Sequence, residues 1–441
     1  MQTENTQRER KDGRERLVVL GGGFAGLNLI KRLDPKKYAV TLIDKHNYHT
    51  FPPLFYQVAS SGLDEASICF PFRREIRKTH HDTDFVMSEV KEVKLDRKEV
   101  VTPWVTVPYD KLVVALGTTN NFFGNPDLIK SVYTLKSTAQ AMRCRNDILD
   151  HLERATATRD DKLRRRLLSF VVVGGGPTGV EIAGALGEMK RFVVPREYRA
   201  LPQDELKITL LEGSPRVLGT MSETASVKAK KYLEELMVEV HTGALMKSYE
   251  DNVVTLADGT QIEAGMVIWT AGVTGTPINF TGTDVPERGR GGRLVVDGEN
   301  RVKGMTDVYA LGDIALMPDV DEAFPQGHPQ LAQVAIQQGT NLANNLNRKV
   351  GKEAKPFKYN DKGSMATVGR NRAVVDLKHT HFGGFFAWLT WMFIHLISIL
   401  GMRNKVTVLI NWLWAYFSYG TSLRLLLHPN RYPLRQRWGE K

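Results

Sequence analysis

Two glycine-rich segments have the composition and spacing of a turn that binds the pyrophosphate of a dinucleotide. Each segment follows a short apolar run and precedes a helical pattern. In such a turn the first glycine permits a sharp bend, the second lets the backbone approach the phosphates, and the third lets the helix pack closely on the strand. Two such segments predict that one chain binds two dinucleotides and passes electrons between them. The glycines are Gly21, Gly23 and Gly26 in the first segment and Gly174, Gly176 and Gly179 in the second.

An acidic residue follows each segment at the distance expected for a carboxylate that binds the ribose of an adenosine. Asp44 ends the predicted strand after the first segment, and Glu212 ends the predicted strand after the second. A carboxylate at Glu212 would accept a hydrogen bond from a free 2′-hydroxyl and repel a 2′-phosphate, which favours NADH over NADPH. Arg216 is close enough in sequence to leave the NADPH option open.

The elements around these segments alternate between strand and helix, which is typical of a doubly wound α/β fold. A further buried strand ending at Asp313 indicates that the chain returns to the first domain after completing the second. We therefore predict two Rossmann-like dinucleotide-binding domains, the second inserted in the first. The predicted boundaries are a disordered lead-in over 1–15, the first domain over 16–125 and 276–345, the inserted domain over 126–275, and a C-terminal region over 346–441.

The composition argues against several other classes of protein. The chain has 441 residues, 42% of them hydrophobic and 25% charged, which is enough for two or three full cores. The net charge of +11 favours anionic lipid and cofactor phosphates as partners, because the sequence contains no nucleic-acid-binding motif. The two cysteines, Cys69 and Cys144, do not form the redox-active pair that a flavin disulfide reductase needs. We also expect no metal site.

The C-terminal region contains two long apolar segments, 382–402 and 406–423. At about 1.5 Å per residue, the first is long enough to span about 30 Å of hydrocarbon. Small and polar residues nevertheless follow one face of each helical pattern, and a spanning hairpin would have to translocate the basic connector Arg403–Lys405. We therefore expect helices that lie in the membrane interface, and the alternatives are a spanning hairpin or helices packed in a core or dimer interface. The tail residues Arg424, Arg431, Arg435, Arg437 and Lys441 suit either anionic headgroups or an ordinary solvated end.

Several motifs together resemble type II NADH dehydrogenases, which are single-chain flavoproteins that pass electrons from NADH to quinone. The resemblance extends from about residue 15 to residue 420. It implies a glutathione-reductase-like FAD/NAD(P) fold with a C-terminal amphipathic membrane-attachment region. The element around Gln333 and Gln337 is the most discriminating, since related flavin reductases lack it. The motifs are Asn47–His49 with Pro53–Ala59, Gly174–Glu188, Ala310–Asp313, Ala332–Gln333 with Gln337–Gly339, and Lys362–Gly369.

The resemblance assigns the first glycine segment and Asp44 to FAD, and the second segment and Glu212 to NADH. It implies that Asp313 accepts hydrogen bonds from the ribityl chain of the flavin, although a helix N-cap is the alternative role for this residue. Further cofactor-binding positions are expected at Gly117, Gly272, Gly312 and Lys362.

Three residues are the candidates for catalytic roles. In the family, the glutamate that matches Glu181 lies near nicotinamide and flavin, so we expect it to tune the flavin and help deliver a proton. The alternative is that Glu181 lies in the first turn of its helix and interacts with the helix dipole. Gln333 and Gln337 share one helix face, and the resemblance places them in the quinone pocket, where an uncharged amide can hydrogen-bond a carbonyl. Without the resemblance, a solvated polar face would explain this pair.

The expected function is NADH:quinone oxidoreduction, in which NADH passes hydride to FAD and a membrane quinone receives two electrons. No chain of intramembrane carboxylates is evident, so we expect no proton pumping. The expected partners are the membrane quinone pool and the lipid surface at the cytoplasmic face of the inner membrane, without nucleic acid, and the resemblance allows a homodimer. The alternatives are a FAD/NAD(P)H reductase with a soluble acceptor, such as a ferredoxin-like protein or oxygen, and a nucleotide-sensing protein without activity. The scarcity of cysteines disfavours a sulfide:quinone oxidoreductase.

Overall fold

The computed structural model describes residues 13–79, 83–349, 351–378, 380–418 and 423–426. Most of the predicted lead-in, part of the second apolar segment, and the tail residues Arg431, Arg435, Arg437 and Lys441 lie outside this part of the chain. Helices and strands are numbered in chain order.

The α-helices of the described residues are α1 Phe24–Ile30, α2 Phe55–Ala59, α3 Phe72–Thr79, α4 Leu128–Ser131, α5 Thr138–Ala157, α6 Asp161–Leu167, α7 Pro177–Glu188, α8 Val194–Glu197, α9 Glu223–Glu235, α10 Ala332–Leu346, α11 Phe385–Ser398 and α12 Met402–Ser418. The strands are β1 Glu15–Leu20, β2 Tyr38–Asp44, β3 Tyr48–Thr50, β4 Cys69–Pro71, β5 Asp84–Met87, β6 Glu92–Lys94, β7 Glu99–Val101, β8 Thr106–Pro108, β9 Lys111–Val114, β10 Thr118–Asn120, β11 Tyr133–Thr134, β12 Ser169–Val173, β13 Lys207–Glu212, β14 Glu239–Thr242, β15 Met246–Glu250, β16 Val253–Leu256, β17 Gln261–Glu263, β18 Met266–Trp269, β19 Val273–Gly275, β20 Phe280–Thr281, β21 Leu294–Val295, β22 Val308–Ala310, β23 Ala315–Leu316, β24 Ser364–Thr367, β25 Ala373–Asp376 and β26 His381–Gly384.

The first compact unit comprises Met1–Thr50, Cys69–Thr119 and Val273–Lys362. Its main sheet is parallel and has the order β22-β9-β1-β2-β5. Alternate residues of β1 enter two different hydrophobic clusters, because both faces of a parallel sheet are covered. Helices α1 and α10 cross so closely that a Cβ on Gly339 would lie 2.5 Å from the carbonyl oxygen of Ala25.

The second compact unit comprises Phe51–Ile68, Asn120–Gly272 and Gly363–Lys441. Its main sheet is also parallel and has the order β11-β18-β12-β13-β14. An antiparallel sheet of β24, β25 and β26 precedes the two C-terminal helices. The longest segment of this unit interrupts the first unit in sequence. The predicted α/β class with one Rossmann-like domain inserted in another is therefore confirmed.

The helices of the C-terminal apolar segments have different bounds from those predicted. Residues 382–384 belong to strand β26, so α11 begins only at Phe385. The prediction that Arg403–Lys405 form a connector is wrong, because α12 begins at Met402 and includes them. Among the described residues, no helix combines the length and the apolar character needed to cross a membrane.

Candidate functional site

The first glycine segment forms a sharp turn between β1 and α1. Gly21 has φ +95°, and a Cβ at this position would lie 2.5 Å from the carbonyl oxygen of Ala115, so only glycine fits. A Cβ on Gly26 would collide with the carbonyl oxygen of Gly21. Gly23 differs, because nothing lies within 4 Å of its Cβ position. The turn therefore leaves an open face at the second glycine, beside the N-terminus of α1.

The second segment builds an equivalent turn between β12 and α7. Gly174 has φ +106°, and a Cβ there would lie 2.7 Å from the backbone nitrogen of Ala271. A Cβ on Gly179 would collide with the carbonyl oxygen of Gly174. Gly176 again faces open space, and Pro177 begins the helix, where its missing N–H costs nothing. Each unit thus contains one turn with the geometry predicted from its glycines.

A carboxylate at the end of the next strand holds each turn. Asp44 accepts hydrogen bonds from the backbone N–H of Gly22 at 2.7 Å and from that of His46 at 2.8 Å. Glu212 accepts in the same way from Gly175 and from Ser214. Each acid therefore binds two backbone N–H groups. One belongs to Gly22 or Gly175, the residue directly after the first glycine of the turn, and the other lies two residues after the acid itself.

The Asp44 carboxylate is half-buried. Burial raises the pKa of Asp44, and the two backbone N–H donors act in the opposite direction. Arg216 donates to the carbonyl oxygen of Gly219, within its own loop, rather than to Glu212.

Both turns fit the pyrophosphate of a dinucleotide. An open glycine allows a phosphate to approach the backbone, and the first N–H groups of a helix have no partner within that helix. Gly23 and Gly176 are the N-cap residues of α1 and α7, and no N-cap side chain accepts a hydrogen bond from these donors.

The predicted positions at the ends of later strands also lie beside the turns within each unit. Gly117 has φ +65° and open space at its Cβ position, whereas a Cβ on Gly272 would lie 2.6 Å from the ring of Phe123. Asp313 lies in a 3₁₀ turn over Gly312–Ile314 and accepts a hydrogen bond from the Thr118 hydroxyl at 3.3 Å. It caps none of the described α-helices, so the alternative role as a helix N-cap is wrong.

Gln338 is a residue that the sequence reasoning missed. Its side chain is buried, and its Oε1 accepts a hydrogen bond from the backbone N–H of Gly312 at 2.7 Å. Gln338 therefore fixes the turn that carries Asp313. Its position beside Gln337 was the only indication in the sequence. The helix periodicity alone did not show that Gln338 lies on the buried face of α10.

Gln333 and Gln337 both contact the segment that follows α10. Gln337 donates from Nε2 to the carbonyl oxygen of Asn360 and accepts from the N–H of the same residue, both at 2.9 Å. Gln333 accepts from the backbone N–H of Lys362 at 3.1 Å. The two amides thus hold the backbone of residues 360–362, and the Lys362 side chain is exposed.

Glu181 is a buried carboxyl in the second unit. It is the fifth residue of α7, so the prediction that it lies in the first turn is wrong. Its side chain is 7% exposed. Desolvation raises the pKa of Glu181 to about 8, while the backbone N–H of Thr367 and the indole of Trp391 act to lower it. The carboxyl is therefore largely protonated at neutral pH, and a helix dipole does not account for it.

The remaining sequence expectations concern metals and thiols. In the described part of the chain, no group of three or more His, Cys, Asp or Glu side chains has the geometry of a metal site. Cys69 and Cys144 are free thiols. Burial raises the pKa of the Cys144 thiol, so it is chemically inert.

The fold and the paired turns define an oxidoreductase with two dinucleotide-binding units. A profile of the pyridine nucleotide-disulphide oxidoreductase family matches residues 15–339, and one of the NDH2 C-terminal domain matches residues 362–418. Type II NADH:quinone oxidoreductase NdhA of Mycobacterium tuberculosis is 35% identical, over 91% of this chain and 87% of that protein. The chain belongs to the type II NADH:quinone oxidoreductase family, which confirms the resemblance.

Two further comparisons agree. The internal alternative NAD(P)H-ubiquinone oxidoreductase A1 of Solanum tuberosum mitochondria is 32% identical, over 92% of this chain and 87% of that protein. The structure of NDH2 from Plasmodium falciparum in complex with NADH has a TM-score of 0.85 at 22% identity and covers 94% of this chain and 100% of that one. The second comparison shows a shared fold.

The buried carboxyl of Glu181 generates a prediction about stability. From its ordinary pKa of 4.5 up to about 8, the folded chain retains a proton that the unfolded chain has lost, so stability falls as pH rises through this window. Glu181→Gln should remove this loss and stabilise the chain by about 3–5 kcal/mol above pH 8, with little gain below pH 5. Urea unfolding at several pH values measures the difference.

The exposed Glu263 on β17 provides the control. Glu263→Gln should leave the pH dependence of unfolding as it is in the original chain. A Glu181→Gln variant with the same pH dependence as the original chain would show that the carboxyl is not held protonated.

Proposed function

We propose that this chain is an NADH:quinone oxidoreductase that uses FAD. The observation that carries the proposal is the pair of turns. Each turn has open space at its second glycine, Gly23 or Gly176, and a strand-end carboxylate that accepts a hydrogen bond from the preceding residue, Gly22 or Gly175. One turn per unit provides for two dinucleotides, and the family supplies their identity. When bound, FAD supplies the acceptor for hydride from NADH and the donor of two electrons to quinone.

The first turn is the proposed FAD site. Gly23 and the N-terminus of α1 receive the pyrophosphate, and Asp44 receives the ribose beside the Gly22 amide that it already holds. Asp313 and the neighbouring Gly117 and Gly312 serve the rest of the cofactor.

The second turn is the proposed NADH site. Gly176 and the N-terminus of α7 receive the pyrophosphate, and Glu212 accepts from the ribose hydroxyls. The negative charge of Glu212 opposes a 2′-phosphate, and Arg216 is engaged with Gly219. These contacts favour NADH over NADPH.

The contacts of α10 favour different roles for Gln333 and Gln337. Both amide atoms of Gln337 bond the backbone at Asn360, which favours a positioning role for this residue. Gln333 borders Lys362, and we assign its amide to the quinone carbonyl. Glu181, which holds a proton at neutral pH, is the proposed group that adjusts charge at the reaction site.

The C-terminal helices support a membrane-soluble acceptor. Their outward faces carry large apolar side chains, including Phe386, 75% exposed, and Phe417, 81% exposed. The opposite faces are packed, with Trp391 and Trp412 buried. A two-faced helix pair of this kind fits attachment to the lipid surface, with the basic Arg403 near the headgroups. We place the chain at the cytoplasmic face of the inner membrane, and a homodimer is compatible with the family.

A steady-state assay with membranes tests the function and the attachment together. With NADH and a long-chain quinone in vesicles, the chain should reduce one quinone per NADH oxidised. The double variant Phe386→Asp/Phe417→Asp should lose most vesicle binding and long-chain quinone turnover, because two charges must enter the interface. Its turnover with a short-chain, water-soluble quinone should stay within about twofold, since ordinary surface substitutions cost little.

A chain that reduces oxygen or a soluble dye rapidly but reduces neither quinone would contradict the proposed function and favour the soluble-acceptor alternative. Full vesicle binding by the double variant would contradict the proposed attachment face alone.

The carboxylate of Glu212 generates a prediction about nucleotide choice. Glu212→Gln keeps an acceptor for the backbone but removes the charge, so the preference for NADH over NADPH, measured as the ratio of kcat/KM values, should fall about tenfold. The matched variant is Asp44→Asn, the equivalent change in the other turn, which should weaken FAD retention without altering this ratio. An unchanged ratio in Glu212→Gln would remove the charge from the account of specificity.

A further inference from the structure

Both polar groups of the Gly22 backbone are bound by side chains of the first unit. The N–H of Gly22 donates to Oδ2 of Asp44 at 2.7 Å, and the carbonyl oxygen of Gly22 accepts from Nδ1 of His49 at 2.9 Å. Gly22 is buried, whereas the next residue, Gly23, is exposed. A Cβ on Gly22 would collide with the ring of Phe72, so this residue has little space in which to move.

His49 is held in place by its strand and by a neighbouring ring. It is the middle residue of β3, which pairs with β4 so that His49 lies opposite Phe70. His49 is 5% exposed, and its ring meets the ring of Phe24 edge to face, with the ring centroids 5.2 Å apart. The imidazole therefore has a fixed position beside the first glycine turn.

The imidazole of His49 must carry its hydrogen on Nδ1. Burial lowers the pKa of His49 to about 4, so the ring is neutral near pH 7. Lys31 and Glu75 act on this pKa in opposite directions, and they form an ion pair with each other. A neutral ring has one N–H, and a carbonyl oxygen can only accept, so the bond to Gly22 requires this N–H to be at Nδ1.

The bond to His49 also sets the direction of the next backbone amide. The carbonyl group of Gly22 and the N–H of Gly23 belong to one peptide unit, which is planar and trans, so they point in opposite directions. Because the carbonyl group is directed at the buried His49, the N–H of Gly23 points away from His49. Gly23 has open space at its Cβ position. An open glycine whose N–H points outward is suited to a phosphate oxygen.

The second turn fixes the equivalent peptide with a different donor. The carbonyl oxygen of Gly175 accepts from the backbone N–H of Leu218 at 2.7 Å. Gly176 has φ −71° and ψ −179°, close to the φ −66° and ψ −164° of Gly23. The two turns therefore share a donor to the carbonyl before the second glycine. In the first turn a side chain supplies this donor, so a substitution can remove it.

We propose that His49 is a positioning residue for FAD, which keeps the Gly23 N–H directed at the pyrophosphate. This inference rests on the proposed function, because that function places FAD at the first turn. Asp44 binds the N–H of Gly22 and His49 binds its carbonyl oxygen, so the two side chains together fix the orientation of the turn. Without the His49 donor, the peptide should rotate more freely and hold the phosphate less tightly.

The rate at which the holoenzyme releases FAD tests the proposal. His49→Leu removes the donor, and it should release FAD about tenfold faster, the effect of one hydrogen bond. His49→Asn has the same shape as His49→Leu but places an amide nitrogen where Nδ1 lies, so its release rate should stay within about threefold of the original. The fluorescence of the released flavin measures these rates after dilution.

Phosphorus NMR separates positioning from a general loss of structure. The phosphate signals of bound FAD report the contacts of the pyrophosphate, so they should move in His49→Leu and return toward their original positions in His49→Asn. The affinity for NAD⁺ should stay unchanged, because the second turn has its own donor. The matched control is His241→Leu, the same change at an exposed histidine of the second unit, and it should alter neither the phosphate signals nor the release rate.

Nitrogen NMR of the original holoenzyme gives a test that does not need a folded His49→Leu chain. The ring signals of His49, identified by their absence in His49→Asn, should show the hydrogen on Nδ1 near pH 7. A ring with its hydrogen on Nε2 would overturn the proposal. Equal release rates in His49→Leu and the original chain would also overturn it, and so would a His49→Asn chain that releases FAD as fast as His49→Leu.

These measurements do not depend on quinone. An original chain that retains FAD and oxidises NADH but reduces no quinone would contradict the proposed function and leave the role of His49 intact. An original chain that takes up no FAD would contradict both.

Discussion

The hydrogen bond between a strand-end carboxylate and the backbone amide after the first glycine is the constraint on which the geometry of each turn depends. Asp44 makes this contact in the first unit and Glu212 makes it in the second. A glycine turn leaves backbone donors exposed, and without a fixed acceptor it would be free to move. The carboxylate holds the turn from the next strand, and the open face at the second glycine remains available for phosphate. In the proposed function, the same charge selects the ribose.

Besides these two turns, the protein has an exposed apolar surface on its C-terminal helices. The exposed side chains of α11 and α12 are large and apolar, and a face of this kind usually marks an interaction site. Packing of the inward face, through Trp391 and Trp412, makes the helix pair part of the second unit. The proposed attachment to lipid would give this arrangement a function, because the quinone acceptor and the apolar face would then share one environment.

Much of the fold could be predicted because it depends on local patterns. The glycine spacing and the apolar runs predicted both turns. Helix ends were less predictable: β26 takes residues 382–384 by pairing with β25, which is a tertiary preference. The roles of the glutamines on α10 also depend on tertiary contacts, since Gln338 and Gln337 are adjacent but bond different segments. The hydrogen bond from Trp412 to Gln57 joins residues 355 positions apart, so no local sequence pattern could predict it.

Anaerobic stopped-flow spectroscopy of the FAD-loaded chain tests the central claim most directly. One equivalent of NADH is mixed first, and a short-chain quinone is mixed second, while the yellow flavin absorbance is followed. The account predicts rapid bleaching by NADH and rapid return of the colour with quinone. Absence of FAD uptake, or bleaching without recovery when quinone is added, would contradict it.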